Sequence, residues 1–388
     1  MNMKVTIFTI ANIRPDFIEI QYDSIKKFLV DVDFEYIIFN NAFNNPKRYQ
    51  IIEDICQKLR IRSISVNHHR DYTNDPSFIV SASLSNMWQN HLRHMKDFLF
   101  YVDSDMFLVK EISINNLMDG YDFGFVPNYR GKDFEVMYAW TGLMLFNMNT
   151  LPNPEELVWD TGSVLGHHVD VGGLNHYYLS KYKDRIHILN LEMYTLDKII
   201  LNTDGTKTIT GSINGNAKIS INLTCDSKLI ELNTPDFHIS ETRFFPYQEA
   251  RKNFHELIAE NYIKFEEYLN NKNIKFPDPP YIDLIKTDRS NFEDCFIFHY
   301  KSGSNWLGFA TEKYNQKKTE MLCELMSSLG VKSDFTFLKQ HKTFFLEEDN
   351  HHMFTSKIEI LKRKVVNVFK SVAKQVFRNG RRGNPPIN

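Results

Sequence analysis

The sequence predicts an α/β fold: a mostly parallel, doubly wound central sheet with helices on both faces, a β-meander inserted after it, and helices at the C-terminal end. Two observations carry this. Over residues 1–130, short apolar, β-branched runs alternate with stretches whose apolar residues recur at helical spacing, which is the rhythm of βαβ units. Over 206–232 the rhythm stops, and Thr, Ile and Asn gather around an Asn214-Gly215-Asn216 turn, as in antiparallel hairpins.

Each element has its own reason. Residues 4–11 are a β-branched apolar run, which suits a strand. After Pro15, the residues Ile18, Tyr22, Ile25 and Leu29 recur at helical spacing. Residues 34–39 are a second apolar run, closed by Asn40-Asn41. A helical pattern covers 46–59, and 61–66 predicts a third strand. Asp75-Pro76 reads as a helix start, with Asp as N-cap and Pro in the first turn. Val80, Leu84, Met87, Trp88, Leu92 and Met95 then share a face. Residues 98–102 predict a buried strand, as do 122–127 and 142–148. A long helix opens at Pro246. Residues 276–281 are a Pro-rich loop, 292–300 a buried strand, and 312–329 a helix.

A chain of 388 residues accommodates one large α/β domain with additions, or two domains. The hydrophobic fraction of 42% supplies a sizeable core, and 24% charged residues match a soluble protein. Cys56, Cys225, Cys295 and Cys323 lack CxxC spacing. They argue against a zinc ribbon or a disulfide scaffold and fit a reduced compartment. The N-terminal run reads as a first strand rather than a signal peptide, and no stretch approaches the roughly 18 apolar residues of a membrane span. The expected location is cytoplasmic. The net charge of −2 hides an asymmetry: from Ser356 onward nine Lys/Arg face one acidic residue, Glu359, a net of +8 that leaves −10 on the body. An acidic body disfavours nucleic acid as a partner.

The chemistry concentrates at Asp103-Ser104-Asp105, just beyond the 98–102 strand. Ligands in open α/β sheets bind at the carboxyl ends of strands. Two carboxylates one residue apart repel each other unless a cation sits between them. Mn²⁺ or Mg²⁺ would complete its coordination with phosphate oxygens, so the pair predicts a metal site that holds a nucleotide diphosphate. The plain alternative is a turn capped by two aspartates.

Tyr101-Val102-Asp103-Ser104-Asp105 resembles the DXD signature of GT-A nucleotide-sugar glycosyltransferases. Three further segments resemble pieces of that fold, in the order it uses them. They are the Gly-hydrophobic-Asn strand from Trp140-Thr141-Gly142 to Asn147, the acceptor-side loop Asp170-Val171-Gly172-Gly173-Leu174-Asn175, and the late element from Phe298-His299-Tyr300-Lys301 through Gly303 to Trp306. The likeness covers about residues 3–310. It departs from glycosyltransferase family 8 at several places. Gly303 stands four positions after His299 and no Lys-Pro follows; Trp140 replaces an Asn, Gly172 an Asp, and Asn86 an upstream Arg. Whether the anomeric configuration inverts stays open.

The resemblance implies a metal-dependent enzyme that moves a sugar from a nucleotide-diphosphate sugar, UDP foremost, to a glycan or lipid-linked hydroxyl. Asp103, Asp105 and His299 would hold Mn²⁺ or Mg²⁺, with Ser104 beside the donor. Lys301 would meet a phosphate oxygen, and Gly303 would let the backbone approach the phosphates. Thr9, Ala11 and Asn12 would edge the nucleoside, and Asn86 the ribose or donor sugar. Trp306 and Trp140 would stack on a sugar or wall the site. Asp170 is the first candidate for the catalytic carboxylate on the acceptor side, and Asp160 the second. The loop His68-His69-Arg70-Asp71 either lines the pocket or is a solvated loop.

On this reading residues 1–310 form the GT-A domain. Residues 1–130 are its nucleotide-sugar half and 131–310 its acceptor half, with the meander near 206–232. Residues 311–355 are a helical extension and 356–388 a basic amphipathic tail. The stretch 357–382, with Ile358, Leu361, Val365, Val368, Phe369, Val372 and Val376 at helical spacing, either lies on an anionic membrane as a peripheral contact or docks on the body. Two other functions remain open. One is a non-catalytic protein of this fold that binds sugar nucleotides or glycans. The other is a haloacid-dehalogenase-type phosphatase, whose Asp-x-Asp normally stands near the N-terminus and is followed by Thr or Val, where Met106 stands here.

Overall fold

The computed structural model describes residues 4–30, 32–43, 45–67, 76–131, 135–215, 217–224, 229–233, 282–288, 290, 294–300 and 312–333, with positions 263, 264, 267 and 271. Lys301, Gly303, Trp306, the loop 68–71, most of the helix expected from Pro246 and the basic stretch 357–382 lie outside the described residues. Contacts divide the chain into two units, Met1–Ser304 with Lys313–Phe335, and Asn305–Glu312 with Thr336–Asn388. The second is outside the described residues apart from Glu312.

The first seven elements follow the expected alternation: β1 (Val5–Ala11), α1 (Asp16–Phe28), β2 (Phe34–Asn40), α2 (Pro46–Leu59), β3 (Arg62–Ser65), α3 (Pro76–Asn90) and β4 (Phe98–Val102). Their strands lie side by side in the order β3-β2-β1-β4, all parallel. Pairing of Ala11 with Asn40 and of Phe8 with Tyr101 brings the carboxyl ends of β1, β2 and β4 to one edge. β1 and β4 are buried throughout, as strands covered on both faces must be. α1 buries Phe17, Ile18, Ile25 and Phe28 and ends with Lys26 and Lys27, which suit the negative end of the helix dipole. α2 starts at Asn45, whose side chain accepts from the Arg48 amide, and stops at Arg60 in the left-handed region.

Beyond β4 the chain forms β5 (Met106–Leu108), α4 (Ile114–Leu117), β6 (Phe123–Arg130) and β7 (Val136–Asn147). β7 runs antiparallel between β4 and β6 and starts earlier than the apolar run at 142–148 suggested. A short hairpin, β8 (Gly162–Val164) and β9 (His167–Val169), leads to α5 (Asn175–Tyr182). The meander follows as β10 (Ile188–Leu201), β11 (Lys207–Ile213), β12 (Ala217–Leu223) and β13 (Leu229–Asn233), all antiparallel. Asn214 and Gly215 both have positive φ in the β11–β12 turn, the conformation for which Asn-Gly is selected.

β10 joins the two parts of the sheet. Its start is parallel to β6 through Ile188–Asn190, and its later residues pair with β11 and with β14 (Ile282–Thr287). β14 pairs with β15 (Ile297–His299), and β15 pairs with β5. A further helix, α6 (Glu312–Ser328), buries Met321, Leu322, Leu325 and Met326. The core between α3, β4, β7 and the segment before β8 contains Trp88, Phe146 and Trp159, with ring centroids of Trp88 5.1 Å from Phe146 and 5.3 Å from Trp159. Among the described residues, no helix is long and apolar enough to cross a membrane.

Candidate functional site

The turn between β4 and β5 carries Asp103-Ser104-Asp105, and four backbone and side-chain contacts fix it. The Asp103 amide donates to the carbonyl of Gly142 on β7 at 2.9 Å, and the Met106 amide closes the turn onto the Asp103 carbonyl at 3.0 Å. Gln21 of α1, 1% exposed, donates from Nε2 to the carbonyls of Asp103 and Met106, each at 2.7 Å. Tyr36 of β2 donates its hydroxyl to Gln21 Oε1. The turn is therefore clamped at both ends from beneath. The Asp103 carboxylate accepts the Ser104 amide at 2.8 Å, which leaves Ser104 as part of the turn itself.

His299 reaches this turn because β15 pairs with β5. The register sets His299 opposite Met106, and the Tyr300 amide donates to the Asp105 carbonyl at 2.8 Å. As a result His299 Nε2 lies 3.3 Å from Asp105 Oδ1. The other ring nitrogen, Nδ1, lies 2.5 Å from Asp283 Oδ2 on β14, and Asp283 is fully buried. No local pattern in the sequence marks Asp283. A carboxylate at the second position of a buried strand, directly opposite the histidine, was a signal only once β14 and β15 were known to pair.

The electrostatics follow from burial. Asp103 is pushed up to about 7, first by burial and then by the charge of Asp105, with the Ser104 amide and His299 pulling the other way. Burial acts to lower His299, but Asp105 and Asp283 overcome it and lift the imidazole to about 10. Two carboxylates thus stand together, Asp105 buried and Asp103 half-buried, with an imidazole held between Asp105 and Asp283. Among the described residues, no group of three or more His, Cys, Asp and Glu is placed so that it could hold a metal ion. Asp105 and His299 do meet directly, and hard carboxylate oxygens with one imidazole form a donor set that suits Mn²⁺ or Mg²⁺ while leaving positions for other oxygens.

The remaining candidates are distributed around the same edge. Thr9 and Ala11 are buried at the end of β1, and Thr9 Oγ1 finds no hydrogen-bond partner among the described residues. Asn12 Oδ1 accepts from Arg48 at 3.4 Å, and the Asn41 amide donates to the Ala11 carbonyl at 2.9 Å. Asn86 on α3 donates to the Asn67 carbonyl at 3.1 Å. Trp140 lies across Gly142: a Cβ there would meet its ring at 2.2 Å. Its centroid is 5.6 Å from the His299 ring.

The acceptor-side candidates sit in the loops around the β8–β9 hairpin. Asp170 is exposed, accepts the Val171 amide on its carboxylate at 2.8 Å and accepts the Gly173 amide on its carbonyl at 2.8 Å. It does not cap α5, which begins after Leu174. Asp160 accepts the Ser81 hydroxyl of α3 at 3.2 Å. Gly172 has φ +74°, and a Cβ on it would stand 2.6 Å from Thr141 Cγ2. The loop therefore lies flush against β7 at Thr141, the neighbour of the Gly142 that holds Asp103. One short stretch of β7, Trp140 to Gly142, touches the aspartate turn, His299 and the loop at Gly172.

No family model and no curated protein sequence matches the chain. Among solved structures it is similar to an active-site mutant of LgtC, with a TM-score of 0.29 and 16% identity over 47% of this chain and 66% of that one. It is similar to the galactosyltransferase LgtC in complex with donor and acceptor sugar analogues, at 0.28 and 14% over 47% and 66%. It is similar to the apo bifunctional glycosyltransferase WbbM, at 0.31 and 11% over 49% and 39%. At such identities and scores the likeness carries no argument about chemistry.

Proposed function

We propose that this chain is a metal-dependent glycosyltransferase that moves a sugar from a nucleotide-diphosphate sugar, a UDP-sugar foremost, to a hydroxyl of a glycan or lipid-linked acceptor. One observation carries the reading. Asp105 and His299, both buried and from distant parts of the chain, meet at 3.3 Å beside a second, half-buried carboxylate, Asp103, at the carboxyl edge of a parallel sheet. That edge is where nucleotides bind in such sheets.

Asp105 and His299 would hold Mn²⁺ or Mg²⁺ directly, and Asp103 directly or through water. When bound, the ion supplies Lewis-acid neutralisation of the charge that develops on the departing diphosphate. The protein's own contribution is positioning. Gln21 and Gly142 hold the turn, and Trp140 walls the site beside His299. The ends of β1 and β2 offer Thr9, Ala11, Asn12 and Asn41 to the nucleoside. Asp170, exposed on the loop that abuts Thr141, is the candidate to accept or orient the acceptor hydroxyl, with Asp160 second. Lys301, Gly303 and Trp306 follow closely on His299 in sequence and are proposed for the phosphates and sugar.

The test is a thermal-shift panel of UDP, GDP, CMP and their sugar conjugates, each with Mn²⁺ and with EDTA. A ligand that binds only the folded state raises its apparent stability. A shift for one nucleotide only in the presence of Mn²⁺ is expected. No shift with any nucleotide in either condition would refute the reading.

A further inference from the structure

Asp283 is a carboxylate where the packing alone calls for an apolar residue. It is 0% exposed, and Ile282, Leu284 and Ile285 around it on β14 are equally buried. A buried charge costs stability unless it is paired and hydrogen-bonded. Replacing a buried ion pair with apolar side chains is often neutral or stabilising, so stability by itself does not account for Asp283. What the position provides is geometric. Asp283 stands directly opposite His299 in the β14–β15 register, and Thr195 stands opposite Asp283 on β10. Ser212 on β11 continues the row. Ser212, Thr195, Asp283 and His299 are all buried, so a polar line crosses four strands and ends at the candidate ligand.

The geometry points to Asp283 as a positioning residue: by accepting the Nδ1 hydrogen of His299 at 2.5 Å, it fixes the ring so that Nε2 is the nitrogen turned toward Asp105 and available to a divalent cation. This rests on the metal reading of the site proposed above. The physical reason is general. A histidine ligand has two different nitrogens, and the partner of one decides which the other can be. A carboxylate behind the imidazole also raises the basicity of the nitrogen in front, and loss of such a partner weakens metal affinity about 10–100-fold.

The test measures Mn²⁺ binding to the full chain, without nucleotide, from the loss of the free-Mn²⁺ paramagnetic resonance signal. Wild type, Asp105→Ala and Asp283→Asn are compared, and each is melted in EDTA. Asn keeps the shape and an acceptor oxygen but lacks the charge. Wild-type binding that Asp105→Ala abolishes would establish the metal site. A 10–100-fold loss of affinity in Asp283→Asn, with cooperative melting in EDTA, then supports the positioning role. A purely structural Asp283 would change the melting temperature and leave the affinity alone, which overturns the inference while the metal site stands. Failure of wild type to bind Mn²⁺ overturns both. A second measurement avoids variants altogether: ¹⁵N shifts of His299 in Mg²⁺-loaded wild type should show the proton on Nδ1, and a proton on Nε2 instead would overturn the inference.

Discussion

Gln21 Nε2 reaches the Asp103 carbonyl at 2.7 Å across 82 positions of sequence, and the same amide holds Met106. The aspartate turn is therefore not a free loop at a sheet edge. Its backbone is held by a buried side chain whose own oxygen is occupied by Tyr36. Every hydrogen-bonding group of that amide has a partner, which is the condition under which a buried polar network rigidifies its surroundings.

Gln21→Met keeps the side-chain length and removes both donors. The Asp103 carbonyl keeps the Met106 amide, but the Met106 carbonyl and the Tyr36 hydroxyl lose their Gln21 partner at about 1–3 kcal/mol each, so a lowered melting temperature and weaker Mn²⁺ binding are expected together. An unchanged melting temperature in EDTA would show that the clamp contributes nothing.

Asp105→Ala removes the carboxylate that faces His299 Nε2. The folded state should survive, because the turn is held by backbone contacts from Asp103, Met106 and Tyr300. Metal-dependent turnover of a UDP-sugar should fall by at least about a hundredfold, since a bound ion supplies several kcal/mol of transition-state stabilisation. Steady-state kinetics with added Mn²⁺ check this, and normal turnover would sink the mechanism.

The pH dependence of the metal-free protein has a definite sign. His299 is raised from 6.5 to about 10 and Asp103 from 3.8 to about 7. A folded-state pKa above the unfolded one means that the folded state binds more protons, so stability falls as pH rises. The Asp103 contribution is complete below about 3.8 and lost through 7; that of His299 is complete below 6.5 and lost through 10. In EDTA the melting temperature should therefore decline from pH 6 to pH 9. Mn²⁺ competes with those protons, so its affinity should climb over the same range. A melting temperature that rises with pH in EDTA would contradict this account.

Gly172→Ala places a side chain at φ +74° and brings its Cβ to 2.6 Å from Thr141 Cγ2. The strained backbone costs about 1–3 kcal/mol. The clash adds to it, and Thr141→Ser, which removes Cγ2, should recover the steric part alone. Chemical denaturation of the two single variants and the double variant separates the terms. Additive losses would show that Gly172 does not press on Thr141.

Truncation after Asn350 removes the basic stretch 357–382. Each basic residue near an anionic surface contributes about 1 kcal/mol, so the truncated chain should be released from phosphatidylserine liposomes that retain the full chain. Equal retention of both would exclude the tail as a membrane contact.

The α/β class, the strands from β1 to β4, the helices between them and the place of Asp103 and Asp105 at the end of β4 were legible in the sequence. They are written in local patterns: β-branched runs such as 4–11 and helical spacing such as Ile18 to Leu29. The meander was legible too, because Asn214-Gly215 is a turn that few other pairs adopt. Asp283, Gln21 and the contact of Gly172 with Thr141 were not. A lone Asp in 282–287, or a Gln on the buried face of a helix, looks the same in sequence whether it meets solvent, a backbone carbonyl or an imidazole. His299 was singled out only through a resemblance of motifs. That it meets Asp105 was decided by β15 pairing with β5, and that it is held from behind by Asp283 was decided by β14 pairing with β15. Local propensity determines which elements form. Hydrogen-bond register between strands far apart in the chain determines which side chains face one another, and no local pattern encodes it.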